Sequence, residues 1–184
     1  MKIPVAVRIL STLALSSIAM LVSACGPLGG GGGNHRVVEA PGLRDLGSQV
    51  YAASNAYRKQ NGLGSLKREK ELDRLAQEHS ESMARRGKLD HSGASGRTDQ
   101  VTARFSVSEK AENVMRTHVK MGRDPQSTLK LWINSPGHRK NLLGPYALSG
   151  LGIAQDEMGN IWITQIYAPA AGSGSRGPSV GRYW

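Results

Sequence analysis

The segment from Ile161 to Tyr167 is the feature that most restricts the fold of this chain. In an extended strand, successive side chains point to opposite faces. Ile161 and Ile163 then lie on one face, and Trp162 and Ile166 lie on the other. A strand that is apolar on both faces is covered on both sides. The sequence therefore predicts a central strand with helices packed on each side, which is a three-layer α/β/α arrangement.

A partner strand is predicted just before this one. Gly150 to Gln155 is a short, mainly apolar run, and Glu157-Met158-Gly159-Asn160 separates it from the central strand. Glycine and asparagine between two such runs favour a tight turn. The two strands are therefore predicted to form a β-hairpin.

Two long helices are predicted in the first half of the chain. Apolar residues recur at three- and four-residue spacings from Leu43 to about Asn61 and from about Glu69 to Arg86. Gly87 stops the second helix. His79 lies on the apolar stripe of that helix, where a hydrogen-bonded core histidine is favoured over a ligand.

Periodicity is weak in the middle of the chain. We predict a short helix near Thr98 to Arg104 and a short strand near Ala111 to Met115. Asp124 followed by Pro125 is a stronger signal, because an N-cap residue and a proline at the first helical position start a helix. This helix is predicted to reach about Asn134 and to bury Trp132 against the sheet.

The next stretch, Ser135-Pro136-Gly137-His138, opens a further predicted helix. Asn134 or Ser135 offers a side-chain oxygen as the cap, and Pro136 fits the first helical position. His138 then lies in the first turn, where the helix dipole disfavours an imidazolium. A neutral histidine accepts a hydrogen bond or ligates a metal. The alternative is that His138 only caps and packs this helix.

The N-terminal segment is predicted to be a lipoprotein signal peptide. Lys2 and Arg8 are positive, and the apolar stretch from Ile9 to Val22 is too short to span a bilayer comfortably. Leu21-Val22-Ser23-Ala24-Cys25 resembles the lipobox of bacterial lipoproteins, which would make Cys25 the lipidated mature N-terminus. The alternative is an ordinary secretory signal with an incidental cysteine.

This interpretation divides the chain into four parts. Residues 1–24 are the signal peptide, and residues 25–42 are a glycine-rich tether that includes Gly29 to Gly33. Residues 43–168 form the domain. Residues 169–184 are rich in glycine, serine and proline and are predicted to be disordered.

The cysteine count restricts disulfide formation, and the net charge restricts the class of binding partner. Cys25 is the only cysteine, which excludes an intrachain disulfide. Without Lys2 and Arg8, 22 of the 24 basic residues remain against 14 acidic ones, a balance of +8. Such a surface favours anionic partners such as phospholipid, lipopolysaccharide or acidic polymers, or is simply a solvated basic surface. Scattered basic residues, few aromatics and predicted export argue against nucleic acid.

Seven motifs together resemble one known family. NAYRKQNGL, LDRLAQEHSESMA, LDHSG, AENV, LWINSPGHRKNLL, GLGIA and IWITQIY follow one another between residues 55 and 167. Their order and spacing resemble the CAP superfamily, the SCP-type domain of cysteine-rich secretory proteins, venom antigens and plant pathogenesis-related proteins. The resemblance implies an α+β fold, a three-layer α/β/α sandwich with a small antiparallel sheet.

The resemblance also implies a cleft. His91 matches the histidine of the loop motif, Glu112 the glutamate of the Gly-Glu-Asn motif, and His138 the histidine of the Ser-Pro-Gly-His motif. We find no counterpart of the second cavity glutamate of many eukaryotic members. His91 and His138, with Glu112, could hold a divalent metal such as zinc. The alternative is a metal-free hydrogen-bonded cluster.

Several functions fit these features. The sequence has no His-Glu-x-x-His helix and no Gly-x-Ser-x-Gly elbow, and no catalytic residue is assigned. We therefore favour a non-enzymatic binding module for an apolar or anionic envelope ligand. It would be anchored through Cys25 to the cell envelope, in the outer membrane of a two-membraned bacterium. The alternatives are a metal-dependent hydrolase acting on peptide or cell-wall substrates and a purely structural surface protein.

Overall fold

The computed structural model describes residues 34–107, 110–121 and 123–170. The predicted signal peptide, the tether before residue 34 and the tail from residue 171 lie outside the described residues. None of the helices in the described ranges is long and apolar enough to cross a bilayer. In chain order, the elements are β1 (Val37–Val38), α1 (Leu43–Gln60), β2 (Lys67–Arg68), α2 (Lys70–Arg86), α3 (Ala94–Phe105), β3 (Ala111–His118), a 3₁₀ turn (Val119–Met121), α4 (Pro125–Ile133), α5 (Pro136–Leu142), β4 (Leu148–Asp156) and β5 (Asn160–Ala168).

The sheet is built around the predicted hairpin. Its strand order is β1-β4-β5-β3, and β2 pairs with the other end of β4. β5 is antiparallel to both of its neighbours, and its side chains are buried from Ile161 to Ala168. The predicted hairpin and central strand are therefore confirmed. Val37 and Val38 of the predicted tether already belong to the sheet, because they pair with Asp156 and Gln155.

One face of the sheet is covered by α2 at very short range. A Cβ on Gly150 would lie 2.1 Å from the backbone carbon of Leu72, and one on Gly152 would lie 2.2 Å from that of Ala76. Only glycine allows this contact between helix backbone and strand. Ile166 packs with Leu72 in the same layer.

The opposite face is covered by α1, α4 and α5. Ile161, Ile163 and Tyr167 share one core cluster with residues of these helices. Trp132 of α4 is fully buried there, and its Nε1 donates to the carbonyl of Val114 at 3.3 Å. The predicted division of the β5 side chains between two helical layers is thus confirmed, and with it the three-layer α+β class.

The predicted side-chain cap is present at the start of α4 but absent at the start of α5. Asp124 caps α4, and its carboxylate accepts from the amides of Gln126 and Ser127 at 3.3 and 2.8 Å. Ser135 occupies the cap position of α5 but makes no side-chain hydrogen bond to cap it, so that prediction was wrong. The amide of Ser135 instead donates to the carbonyl of Trp132 at 3.2 Å.

Two elements are longer than predicted. α3 starts at Ala94 because Gly93, at φ 74°, turns the chain into it. The buried positions of α3 include Arg97, so the buried face of the helix was not apolar enough to reveal its first turn. β3 continues to His118 because its polar end is held by pairing with β5 rather than by an apolar pattern.

Arg58 of α1 fixes the C-terminal end of α5. Its buried guanidinium donates to the carbonyls of Leu142 at 2.7 Å, Gly144 at 2.9 Å and Tyr146 at 3.1 Å. The last carbonyls of a helix have no partner within the helix, and an arginine satisfies them here. The helix that carries His138 is therefore anchored to α1.

Candidate functional site

Glu112 is the centre of the predicted site. Its side chain is buried near the start of β3. Arg97 of α3 binds it with two hydrogen bonds, from Nε to Oε2 at 2.7 Å and from Nη2 to Oε1 at 2.8 Å. This bidentate geometry is the strongest form of an arginine–carboxylate pair. The Nη1 of Arg97 also donates to the carbonyl of Ser92 at 2.8 Å, next to His91.

His91 contacts the same carboxylate. Its Nδ1 lies 2.8 Å from Oε1 of Glu112. An ionised carboxylate only accepts, so Nδ1 carries the proton, and in the neutral ring the lone pair is on Nε2. The His91 side chain is 28% exposed, so it forms a link between the buried Glu112 and the surface.

Hydrogen bonds from α2 hold the loop that carries His91. The buried His79 places Nε2 2.9 Å from the carbonyl of Asp90 and 3.8 Å from Oε1 of Glu112. Arg86 donates to both carboxylate oxygens of Asp90, at 2.7 and 3.0 Å. The prediction of a hydrogen-bonded core histidine at position 79 is confirmed. Its bond to Asp90 fixes the residue directly before His91.

His138 reaches the site from α5. The amide of the Asn113 side chain donates to the carbonyl of His138 at 3.0 Å. Asn141 donates to Oδ1 of Asn113 at 2.9 Å and to the carbonyl of Glu112 at 3.3 Å. The first turn of α5 is therefore fastened to β3 beside Glu112.

The pKa of His138 is lowered below its usual 6.5, mainly by burial and further by the nearby charge of His91. The sequence predicted the same direction of the pKa shift, but from the helix dipole, whereas burial and the charge of His91 cause it. The structure brings His91 and Glu112 into contact. His138 is linked to this region through its backbone carbonyl, which accepts from Asn113.

The charge of Glu112 is set by opposing effects. Burial alone would raise the pKa of this carboxyl, but hydrogen bonds from His91 and Arg97 and the charge of Arg97 outweigh it. The result is a pKa of about 2. Glu112 is consequently an ionised carboxylate at neutral pH.

Glu112 does not fit the predicted role of metal ligand. Both of its oxygens accept hydrogen bonds from Arg97, and Oε1 also contacts His91. In the described part of the chain, no three side chains of histidine, cysteine, aspartate or glutamate are grouped so that they could hold a metal ion. A cation in this cleft would be held by His91 and His138 alone, and that pair stays a prediction.

Sequence reasoning missed Arg97. Arg97, Val101 and Phe105 are the buried residues of α3, at four-residue spacing. An arginine in line with two apolar residues was the available signal, because a buried arginine is found with a partner carboxylate. The sequence showed no second glutamate for the cleft. The structure places an arginine next to Glu112 instead.

Comparison with known proteins identifies the family. Residues 51–167 match the family model described as CAP, the cysteine-rich secretory protein family, and the chain belongs to this family. It is 32% identical over 121 residues to the uncharacterized protein YkwD of Bacillus subtilis. That alignment covers 64% of this chain and 45% of the relative, so the chain spans less than half of the relative's length.

Solved structures share the fold. An outer surface protein from Borrelia burgdorferi matches with a TM-score of 0.61 and 14% identity, over 74% of this chain and 98% of that one. A cysteine-rich secretory protein from Staphylococcus aureus matches with a TM-score of 0.57 and 21% identity, over 70% of this chain and 40% of that one. At these identities the likeness establishes the architecture.

Proposed function

We propose that this CAP domain is a lipid-anchored, non-enzymatic binding module of the bacterial cell envelope, with its ligand site at His91 and His138. The observation that carries this proposal is that both carboxylate oxygens of Glu112 already have hydrogen-bond partners. Its buried carboxylate is held by two bonds from Arg97 and one from His91. It therefore acts as a fixed support for His91.

Acid–base catalysis by Glu112 is disfavoured by the same contacts. A general acid needs a pKa near the working pH, whereas the pKa of Glu112 is about 2. A general base needs an oxygen that can reach substrate, and both oxygens of Glu112 face Arg97 and His91. The other two predicted site residues, His91 and His138, both carry imidazoles. They suit hydrogen bonding to a ligand.

The ligand is proposed to be an apolar or anionic envelope component, with anionic phospholipid as the class that combines both properties. The balance of +8 on the predicted mature chain would attract anionic molecules over a distance. Binding of a water-soluble short-chain phosphatidylglycerol to the mature protein tests this. A His91→Ala/His138→Ala variant should bind at least about tenfold more weakly, which is about 1.4 kcal/mol. Gln60→Ala is the control, because Gln60 is exposed at the end of α1 and belongs to neither the histidine site nor another proposed lipid contact. Equal binding by all three proteins would contradict the proposal.

Anchoring is proposed to occur through Cys25. The support is the lipobox-like run that ends in the only cysteine of the chain. The family's description as secretory and the outer surface relative agree with export. Cys25→Ser should abolish acyl labelling and release the protein or leave it unprocessed. Unchanged labelling and processing in that variant would contradict the anchor.

A metal-dependent hydrolase is the second candidate, and the lowered pKa of His138 favours it. His138, whose lowered pKa favours the neutral ring, could hold zinc together with His91, and the zinc would supply Lewis acidity. Zinc titration into the mature protein and the double histidine variant separates the candidates. The hydrolase requires zinc binding that disappears in the variant, together with cleavage of peptide or wall polymer.

A further inference from the structure

We propose that one end of the domain rests on the lipid surface in which Cys25 is anchored. We call it the tether end and define it by Arg36, Lys120, Met121 and Met158. This inference rests on the lipid anchor of the proposed function and adds the side of the domain that the membrane contacts. The occupant is an anionic lipid surface.

Three chain segments are joined at the tether end. The amide of Glu157 donates to the carbonyl of Arg36 at 3.0 Å, which links the start of the domain to the β4–β5 turn. The amide of Val119 donates to the carbonyl of Gly159 at 2.9 Å, which links the 3₁₀ turn after β3 to the same turn. His118 Nε2 adds a contact of 3.0 Å to the carbonyl of Met158. The hydrogen bonds therefore hold these segments as one surface.

Two large apolar side chains project from this surface. Met121 is 77% exposed and Met158 is 62% exposed. They are two of the four large hydrophobic residues that are exposed in the described ranges. Methionine is unbranched and adaptable, so it can enter the disordered boundary between lipid headgroups and acyl chains.

Cationic side chains accompany the methionines. Arg36 has 78% of its side chain exposed, and Lys120 is exposed on the 3₁₀ turn. Arg36 lies 3.7 Å from Glu157, but both partners are solvated, so the pair is weak and Arg36 can turn to a phosphate. Basic residues near an anionic leaflet add to apolar contacts in holding a protein at the surface.

The covalent path to Cys25 brings this end close to the membrane. Nine peptide links separate Cys25 from Asn34, which span at most about 30 Å when fully extended. Arg36 follows two residues later. A lipid on Cys25 therefore keeps the tether end at a high local concentration near the headgroups, where weak contacts suffice.

The cleft lies at the other end of the sheet. Glu112 pairs with Ile166, whereas His118 pairs with Asn160. His118 lies six residues after Glu112 along β3, which is about 20 Å. With the tether end on the lipid, the cleft would face away from the bilayer and receive ligands from the aqueous side.

A single fluorescent label tests this orientation. The full mature chain, acylated on Cys25, is prepared as a Met158→Cys variant and as a Ser65→Cys variant, and each new thiol carries an environment-sensitive fluorophore. Ser65 is the matched control, because it is exposed and precedes β2, which pairs with the opposite end of β4. Both proteins are reconstituted into vesicles of phosphatidylglycerol and phosphatidylcholine.

We expect blue-shifted emission at position 158 and several-fold stronger quenching by headgroup-labelled lipid there than at position 65. Equal emission and quenching at the two positions, in protein that sediments with the vesicles, would overturn the orientation and leave the anchor intact. Protein that stays in the supernatant would overturn the anchor and this inference with it.

Discussion

Arg97 binds both carboxylate oxygens of Glu112, with Nε 2.7 Å from Oε2 and Nη2 2.8 Å from Oε1. Both residues are buried, so the pair replaces the water that each charge loses on folding. The pair also ties α3 to the first residues of β3. The same carboxylate contacts Nδ1 of His91 at 2.8 Å, so the pair also positions one of the two imidazoles of the proposed ligand site.

Removing Arg97 should be strongly destabilising. Arg97→Met leaves the charge of Glu112 buried without its main partner, which costs about 3–5 kcal/mol. Urea denaturation followed by tryptophan fluorescence measures the loss. An Arg97→Met/Glu112→Gln double variant should recover a large part of it, because the orphaned charge is gone. A single variant as stable as the original chain would show that the pair contributes little.

Acid should weaken the domain through Glu112. Its folded-state pKa is about 2, below the usual 4.5, so the carboxylate stabilises the fold fully above about pH 4.5. That contribution is lost as the pH falls from about 4.5 through the folded value of about 2. Thermal melts across this range should show a falling Tm, and Arg97→Met/Glu112→Gln should flatten the fall. An equally steep fall in the double variant would assign the effect to other carboxyls.

A second pH effect should occur nearer neutrality. The pKa values of His79 and His138 are both lowered, mainly by burial. The unfolded chain therefore takes up these protons first, and stability is full above the usual value of about 6.5 and declines as the pH falls below it. His138→Gln should reduce the change in Tm between about pH 7.5 and pH 5.5. An unchanged dependence of Tm on pH would show that the His138 side chain is solvated in the folded protein.

Trp132 should be essential to the layer formed by α1, α4 and α5. Because the side chain is fully buried, Trp132→Ala should cost about 3–5 kcal/mol. Leu131→Ala is the neighbouring control, since Leu131 is exposed and should change stability little. A melt of the Trp132→Ala protein within a degree or two of the original would contradict this packing.

Gly152 should tolerate no side chain. A Cβ there would lie 2.2 Å from the backbone of Ala76, so Gly152→Ala must push α2 away from β4. We expect a loss of at least about 1–3 kcal/mol from overpacking. Gly64→Ala is the control, because a Cβ at that position meets nothing within 4 Å. Equal melting temperatures for the two variants would contradict the close contact.

The fold could be predicted where the apolar residues of one segment were enough to show which of its faces are buried. β5 is apolar on both faces, so its central position and the two helical layers followed from alternation alone. α1 and α2 followed from their apolar stripes. The start of α3 and the end of β3 could not be located, because their buried or paired positions are partly polar and are held by residues distant in sequence.

The candidate site was predictable only in part. The resemblance pointed to His91, Glu112 and His138, but the sequence does not show what surrounds them. Arg97 is 15 residues from Glu112, and only the packing of α3 reveals that it satisfies the carboxylate. Glu112 was considered as a possible third ligand beside the two histidines, but the sequence does not show that Arg97 and His91 bind its oxygens.

The tautomer of His91 is the decisive measurement, because Glu112 can orient the ring only if Nδ1 carries the proton and Nε2 carries the lone pair. Long-range proton–nitrogen NMR correlation of the imidazoles, recorded while the pH is raised until the signals of the neutral ring are seen, measures this. We expect a protonated Nδ1 and an unprotonated Nε2 for His91. A neutral His91 with its proton on Nε2 would contradict the account, because Glu112 would then not be orienting the ring.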